Sequence, residues 1–138
     1  MNVPANHLSP FLHQSCMKGL LFSKVYLDKI LNGEVAYDTR MHSCNVRGPI
    51  ALVEKESRAV RGTAVLTGVR PITYPEFAEW HLSSIDSEVP LAATPFQSTC
   101  YAYDLADVRS LPRPVNSGDM DGHMWIYIPE ELQHIIGY

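Results

Sequence analysis

Residues 19–40 read GLLFSKVYLDKILNGEVAYDTR, and this stretch decides the fold. The apolar run Gly19–Ser23 predicts a short buried strand. Apolar residues at helical spacing predict a helix over Val25–Asn32, with a serine before it as a cap and Gly33 where a left-handed C-cap belongs. A second strand is expected over Val35–Thr39. The order is therefore strand, helix, glycine turn and strand.

Further strands are predicted on the C-terminal side of this stretch. They are expected over Pro49–Glu54, Val60–Val69, Tyr101–Leu105 and His123–Ile128. Gly62 marks a bulge or a point of close packing within the second of these. The segment Met41–Gly48 and residues 82–98 are expected to be loops, and Leu111–Val115 an extended connection stiffened by proline.

Two short helices complete the prediction. Thr73 and Glu76 have the spacing of a capping box, which starts a helix reaching about residue 80 or 81. A C-terminal helix over Pro129–Ile136 would have proline at its first position and glutamates in its first turn. Five or six strands with two or three short helices favour an α+β fold, a small mixed sheet closing toward a β-barrel.

The length and composition fit one domain of 138 residues with 46% apolar residues. We expect an N-terminal arm over residues 1–17 and the domain over residues 18–138. No run is long and apolar enough to span a membrane, and no secretory signal is visible. Three cysteines without a paired spacing favour a reducing compartment, so a cytoplasmic protein is expected.

Charge is distributed unevenly along the chain. The formal net charge is −4, which argues against strong non-specific nucleic-acid binding through bulk charge. The part up to Arg70 has a balance of +4, and the remainder has a balance of −8. If these halves stay apart in space, one surface attracts anions and another repels them.

Four passages together resemble the ASCH domain family of the PUA-like superfamily, whose members are small β-barrels. Residues 33–40, GEVAYDTR, resemble the signature Gly-x-Lys-x-x-Glu-x-Arg. Residues 47–53, RGPIALV, and residues 61–66, RGTAVL, resemble two family strands. Tyr101-Ala102-Tyr103 followed by residues 111–115, LPRPV, resembles a further strand and turn. The resemblance covers about residues 20–128 and implies a PUA-like barrel.

The same resemblance shows two departures that bear on activity. Val35 stands where the family has a signature lysine, and Asp38 stands where it has a glutamate. Small bacterial members that deacylate N4-acetylcytidine use that lysine and a threonine at the position of Asp38. The lysine and the threonine are both missing, so the sequence shows no residues that would carry out the amidohydrolase reaction. Other members are metal-dependent ribonucleases, but the sequence has no clear metal cluster, and no cofactor is expected.

The candidate ligand-binding residues are Gly33, Tyr37, Asp38, Arg40, Arg47 and Tyr101. Asp38 and Arg40 point to one side of a strand, and a guanidinium suits a phosphate or a base edge. A structural ion pair is the alternative for these two residues. Arg47, Arg58 and Arg61 could contact phosphates, and an aromatic side chain such as Tyr37 could stack on a base.

The favoured function is a nucleic-acid-binding module that holds single-stranded RNA or a nucleotide in one cleft. The cleft walls would come from residues 33–40, the Met41–Gly48 loop and the strand at Tyr101. An enzyme acting on RNA or on a modified nucleoside is one alternative. A protein-interaction domain is another, with its acidic half docking a basic partner.

Overall fold

A computed structural model describes residues 17–73, 75–77, 100–119 and 121–137. The described strands are β1 (Met17–Phe22), β2 (Tyr37–Arg40), β3 (Gly48–Glu54), β4 (Ala59–Ile72), β5 (Cys100–Asn116) and β6 (Trp125–Ile128). The helices are α1 (Lys24–Leu31) and α2 (Glu130–Ile135), and residues 75–77 are also helical. Within these ranges, no helix has the length and apolar character needed to cross a membrane.

The six strands form one sheet in the order β2-β5-β4-β3-β1-β6. β1 and β3 are parallel, since α1 and β2 lie between them in the chain, and every other pair is antiparallel. The sheet curls into an open half-barrel. This arrangement confirms the predicted small α+β fold with a mixed sheet closing toward a barrel.

Both faces of the sheet carry a hydrophobic core. The first, here the α1-side cluster, includes Leu27 and Ile30 of α1 with Leu20 of β1. The second, the α2-side cluster, includes Leu21 of β1 and Ile136 next to α2. Neighbouring residues of β1 thus enter opposite cores, which explains why its sequence is continuously apolar rather than alternating.

The turn after α1 has the predicted left-handed glycine. Gly33 has a φ of +79°, and its amide donates to the Ile30 carbonyl at 3.1 Å. The Glu34 amide donates to the Lys29 carbonyl at 3.0 Å, which completes a Schellman motif. At the other end, Ser23 occupies the N-cap position without a side-chain capping bond.

The predicted capping box is present before the helical residues 75–77. The Thr73 amide donates to Glu76 Oε1 at 3.0 Å, and the Glu76 amide donates to Thr73 Oγ1 at 3.4 Å. The backbone hydrogen bond from Thr73 contributes most to holding the pKa of Glu76 below its ordinary value. The predicted helix end and the loop at residues 82–98 lie outside the described residues.

Several predicted boundaries differ from the structure. The segment Leu111–Val115 is part of β5 rather than a connection, because β5 continues alongside β4 as far as Asn116. Pro129 is the N-cap of α2 instead of its first helical residue. The predicted N-terminal arm falls outside the described residues except for Met17, which begins β1.

Gly62 is a close-packing point, as predicted. A Cβ atom there would lie 2.5 Å from the Arg109 carbonyl oxygen and 2.7 Å from Leu31 Cδ2. The β4–β5 register also shifts between Val60 and Gly62. The missing side chain leaves the space into which both the Arg109 backbone of β5 and Leu31 of α1 pack.

Candidate functional site

Asp38 and Arg40 form a largely buried ion pair on one side of β2. Asp38 is 2% exposed. Arg40 donates from Nε to Asp38 Oδ2, and from Nη2 to the Leu21 carbonyl at 2.8 Å. Its Cζ also lies 4.9 Å from the centre of the Phe22 ring. Arg40 therefore ties β2 to β1 through a charge, a carbonyl and an aromatic face.

Tyr103 is the cross-strand neighbour of Asp38 and is fully buried. Its hydroxyl donates to the His42 carbonyl, at the start of the loop that leads to β3. Burial raises the pKa of Tyr103 above its ordinary value, and the neighbouring Cys44 and Asp38 act in the same direction. The phenol thus stays protonated and able to donate to the loop.

Arg47 has its guanidinium held at one nitrogen by its own loop. Arg47 Nη1 donates to the carbonyls of Cys44 at 3.1 Å and Val46 at 2.7 Å. No carboxylate of the described ranges pairs with Arg47, and the same is true of Lys18. Two positive charges are therefore available to an anion.

Both cations line a cleft with a volume of about 610 Å³. This volume is within the ~300–1,000 Å³ of ligand pockets. The lining combines cations, polar groups and aromatic rings, from Lys18, Ser43, Cys44, Asn45, Val46, Arg47, Pro49, Tyr103, Met124, Trp125, Ile126 and Tyr127. None of these twelve lining residues is acidic.

Strand register gives the cleft a charged end and an aromatic end. Lys18 pairs with Tyr127 in the β1–β6 ladder, and its Nζ lies 5.7 Å from the centre of the Tyr127 ring. Because β1 and β3 are parallel, with Gly19 opposite Ala51, β3 extends past the level of Lys18 at this end, and Arg47 immediately precedes the first residue of β3. Trp125 pairs with Leu20, further along β1, and marks the aromatic end.

The predicted site residues do not all meet at this cleft. Arg47 lines it, together with Cys44 and other residues of the predicted Met41–Gly48 loop. Asp38 and Arg40 lie beside Tyr103, which is part of the lining. Asp38 and Arg40 are not themselves among the lining residues, and Asp38 is the cross-strand neighbour of Tyr103.

The other three predicted residues lie elsewhere. Tyr37 faces Arg70, whose Cζ is 5.3 Å from its ring centre. Tyr101 is half-buried against the α1-side cluster. Gly33 forms the turn after α1, with open space around its Cα.

Two arginines that were candidates for phosphate contact make hydrogen bonds within the protein instead. Arg61 donates to Glu54 at 2.9 Å and to Asp28 at 3.0 Å, which joins β4 to β3 and α1. Arg58, with a φ of 62°, donates to the Gly122 carbonyl at 2.6 Å. These contacts favour the structural interpretation of both side chains.

The sequence prediction missed Lys18 and Tyr127 and treated Trp125 chiefly as a core residue. The alternation of Trp125, Ile126, Tyr127 and Ile128 was a usable signal, because it puts two aromatic rings on one face and two isoleucines on the other. The described residues contain no group of three or more histidine, cysteine, aspartate or glutamate side chains that could hold a metal.

Comparison with solved structures shows which known folds this architecture resembles. ASCH from Zymomonas mobilis aligns with a TM-score of 0.67 and 11% identity, covering 86% of this chain and 93% of that chain. A mutant of that protein aligns with a TM-score of 0.64 and 13% identity, covering 87% and 96%. The N-terminal domain of Staphylothermus marinus McrB aligns with a TM-score of 0.52 and 16% identity, covering 87% and 92%.

The sequence matches no family model and no curated protein. The chain nevertheless has an ASCH-like fold, since the alignments with ASCH extend over most of both chains. At these identities the likeness applies to the fold.

Proposed function

We propose that this protein is a nucleic-acid-binding module whose ligand enters the cleft between the 43–47 loop and strands β1 and β6. The observation that carries the proposal is the lining itself: two cations that have no carboxylate partner among the described residues, the accessible rings of Trp125 and Tyr127, and no acidic residue. Such a surface attracts phosphate and offers π-faces to bases. The ASCH-like fold supports the proposal.

Single-stranded RNA is the ligand class that we propose. A cleft of about 610 Å³ is suited to one or two unstacked nucleotides rather than to a duplex. Sequence-selective RNA recognition targets splayed, single-stranded bases, which stack on aromatic side chains. Lys18 and Arg47 would contact phosphate, and Trp125 would stack on a base.

The proposed role of Asp38, Arg40 and Tyr103 is to hold the loop and the strand next to the cleft in place. Tyr103 holds the loop at His42, and the Asp38–Arg40 pair packs beside Tyr103 and anchors β2 to β1. Direct ligand contact by Asp38 and Arg40 stays a prediction. The same applies to Gly33, Tyr37 and Tyr101, which are not among the lining residues of the cleft.

The two alternatives have less support. For an enzyme, the lining contains the nucleophile types Ser43 and Cys44, but it contains no carboxylate or histidine that would activate them as a general base. A protein-interaction domain with a filled cleft does not match the open volume that is present. A reducing, cytoplasmic setting belongs to the proposal, consistent with the free thiols Cys44 and Cys100.

Titration with oligonucleotides tests the proposal. Trp125 fluorescence is followed while single-stranded RNA, single-stranded DNA and duplex RNA of equal length are added, with Trp125→Phe to identify the signal. We expect single-stranded RNA to bind, and Lys18→Gln or Arg47→Gln to weaken binding. Lys55→Gln is the matched control, because Lys55 is exposed on the turn after β3, away from the lining. Absence of binding to every nucleic acid would overturn the proposal.

A further inference from the structure

We propose that the cleft selects a nucleoside phosphomonoester, either the phosphorylated end of a strand or a free nucleotide, over an internal stretch of nucleic acid. This inference rests on the proposed function and specifies which part of the ligand the charged end receives. It follows from the two lining cations that have no carboxylate partner in the described part of the chain, their position toward one end of the cleft, and the absence of acidic residues from the lining.

The charge of the site matches a terminal phosphate better than an internal one. An internal phosphodiester carries one negative charge, whereas a phosphomonoester carries about −1.5 to −2 at pH 7. Lys18 and Arg47 supply two positive charges, and neither is compensated by a carboxylate within the described ranges. A site with this charge gains more from a doubly charged anion than from a singly charged one.

Strand register brings the two cations to one end of the cleft. Lys18 immediately precedes the register pair Gly19–Ala51, and Arg47 immediately precedes β3. With Gly19 opposite Ala51, Lys18 is level with Ile50, so Arg47 lies three residues, or roughly 10 Å, further toward the start of β3. One phosphate would be bound by both cations with their long side chains extended toward each other. A continuous strand would instead need cations spaced along a groove that follows several phosphates.

Arg47 is also partly preorganised for such a ligand. Its Nη1 is tied to the Cys44 and Val46 carbonyls, whereas its Nε and Nη2 have no partner among the described residues. A guanidinium held at one nitrogen keeps a planar fork available for two phosphate oxygens. Lys18 adds a point charge from the neighbouring strand.

The aromatic end gives the base a separate place. Trp125 pairs with Leu20, two residues along β1 from Lys18, and two residues of a strand span roughly 6.6 Å. This is the scale of the separation between the phosphate and the base within one nucleotide. One nucleotide therefore fits the cleft with its phosphate toward Lys18 and its base toward Trp125.

The test compares ligands that differ only in their ends. A five-nucleotide RNA is titrated with a 5′-phosphate, with a 3′-phosphate and with hydroxyl groups at both ends, and adenosine and cytidine monophosphates are titrated separately. We expect at least one phosphorylated end to bind about tenfold more tightly than the hydroxyl form. Comparison of the mononucleotides with the oligonucleotides distinguishes a free nucleotide from a strand end.

Substitutions connect that preference to the two cations. Lys18→Gln and Arg47→Gln should each reduce the phosphate-end preference to less than threefold, while Lys55→Gln should keep it. Circular dichroism verifies that each variant is folded. Equal affinity for all three RNA ends would overturn the inference and leave the proposed function standing, whereas a lack of binding by any RNA or nucleotide would overturn both.

Discussion

Among the residues that the structure describes, Arg40 is the cation that pairs with the buried carboxylate of Asp38. Arg40 reaches it through Nε, and the same guanidinium also bonds the Leu21 carbonyl and covers the Phe22 ring. A buried charge that loses its partner costs more than the intact pair contributes. The structural role of Arg40 is therefore open to a direct measurement.

Replacement of Arg40 by alanine should lower the free energy of unfolding by roughly 2–4 kcal/mol, because Asp38 would be left buried and unpaired. Urea denaturation measures this loss. Removing the carboxylate as well, in Arg40→Ala with Asp38→Asn, should recover part of the stability. A large loss of RNA affinity with unchanged stability would contradict this role and would instead indicate direct ligand contact by Arg40.

Tyr103 makes stability sensitive to alkaline pH. Its pKa is raised in the folded protein by burial, so the folded state holds the phenol proton more tightly than the unfolded chain. The contribution of Tyr103 to the free energy of unfolding is therefore fully present below the ordinary tyrosine pKa of about 10. It is lost as the pH rises from there through the raised pKa of the folded protein. Tyr103→Phe should flatten this loss in urea titrations between pH 8 and pH 11.

The same substitution has a second expected result at neutral pH. Phenylalanine cannot donate to the His42 carbonyl, so the free energy of unfolding should fall by about 1 kcal/mol. RNA affinity should also fall, because the loop that carries Arg47 loses an anchor. An unchanged alkaline profile in Tyr103→Phe would show that another group is responsible.

At the scale of elements, β4 has a glycine at a point where both α1 and β5 pack against it. A methyl group at Gly62 would overlap the Arg109 carbonyl oxygen, which is backbone and cannot rotate away. Gly68, in the same strand, has Asp104 Oδ2 at 3.8 Å as its nearest neighbour. The two glycines form a matched pair for substitution.

Gly62→Ala should destabilise the protein by about 3 kcal/mol, because the strands must separate to accommodate the methyl group. Gly68→Ala should change stability by no more than about 0.5 kcal/mol. Thermal unfolding followed by circular dichroism compares them. Equal melting temperatures for the two variants would mean that β5 can shift locally around residue 62.

For the whole molecule, the net charge of the chain is negative, whereas the charge of the cleft lining is positive. The chain carries −4 overall, yet the cleft lining has two cations and no carboxylate. With two phosphate charges neutralised by Lys18 and Arg47, and about 0.7 counterions released per neutralised charge, the log–log salt slope of RNA binding should be about −1.4. Titrations at several salt concentrations measure it, and Arg47→Gln should halve it. A slope steeper than about −3 would indicate a broad basic surface.

Deacylation of N4-acetylcytidine is not expected from the molecule as a whole. Val35, which stands at the lysine position of the signature that residues 33–40 resemble, is 7% exposed within the α1-side cluster, and Asp38 is paired with Arg40. A nucleoside assay should show no turnover above background. Turnover that disappears in Asp38→Asn would make the enzyme alternative the leading function.

Local sequence patterns were sufficient for most of the fold. Apolar runs marked the strands, and the Gly33 turn and the Thr73–Glu76 box marked helix ends, since these features involve residues close together in the chain. Strand lengths were less predictable. β5 extends to Asn116 despite two prolines, because its pairing with β4 outweighs local preference.

The amino-acid sequence by itself determined the α+β class, the order of the elements, the Gly33 turn, the position of Asp38 and Arg40 on one side of β2 and the loop that contains Arg47. Only the tertiary structure brought Lys18, Tyr103 and Trp125 to that loop, because β1, β5 and β6 meet it through strand pairing between distant segments. The tertiary structure also showed that Arg61 forms ion pairs with Asp28 and Glu54 within the protein. Contacts between neighbours follow from local stereochemistry, whereas a cleft depends on which distant surfaces the sheet joins.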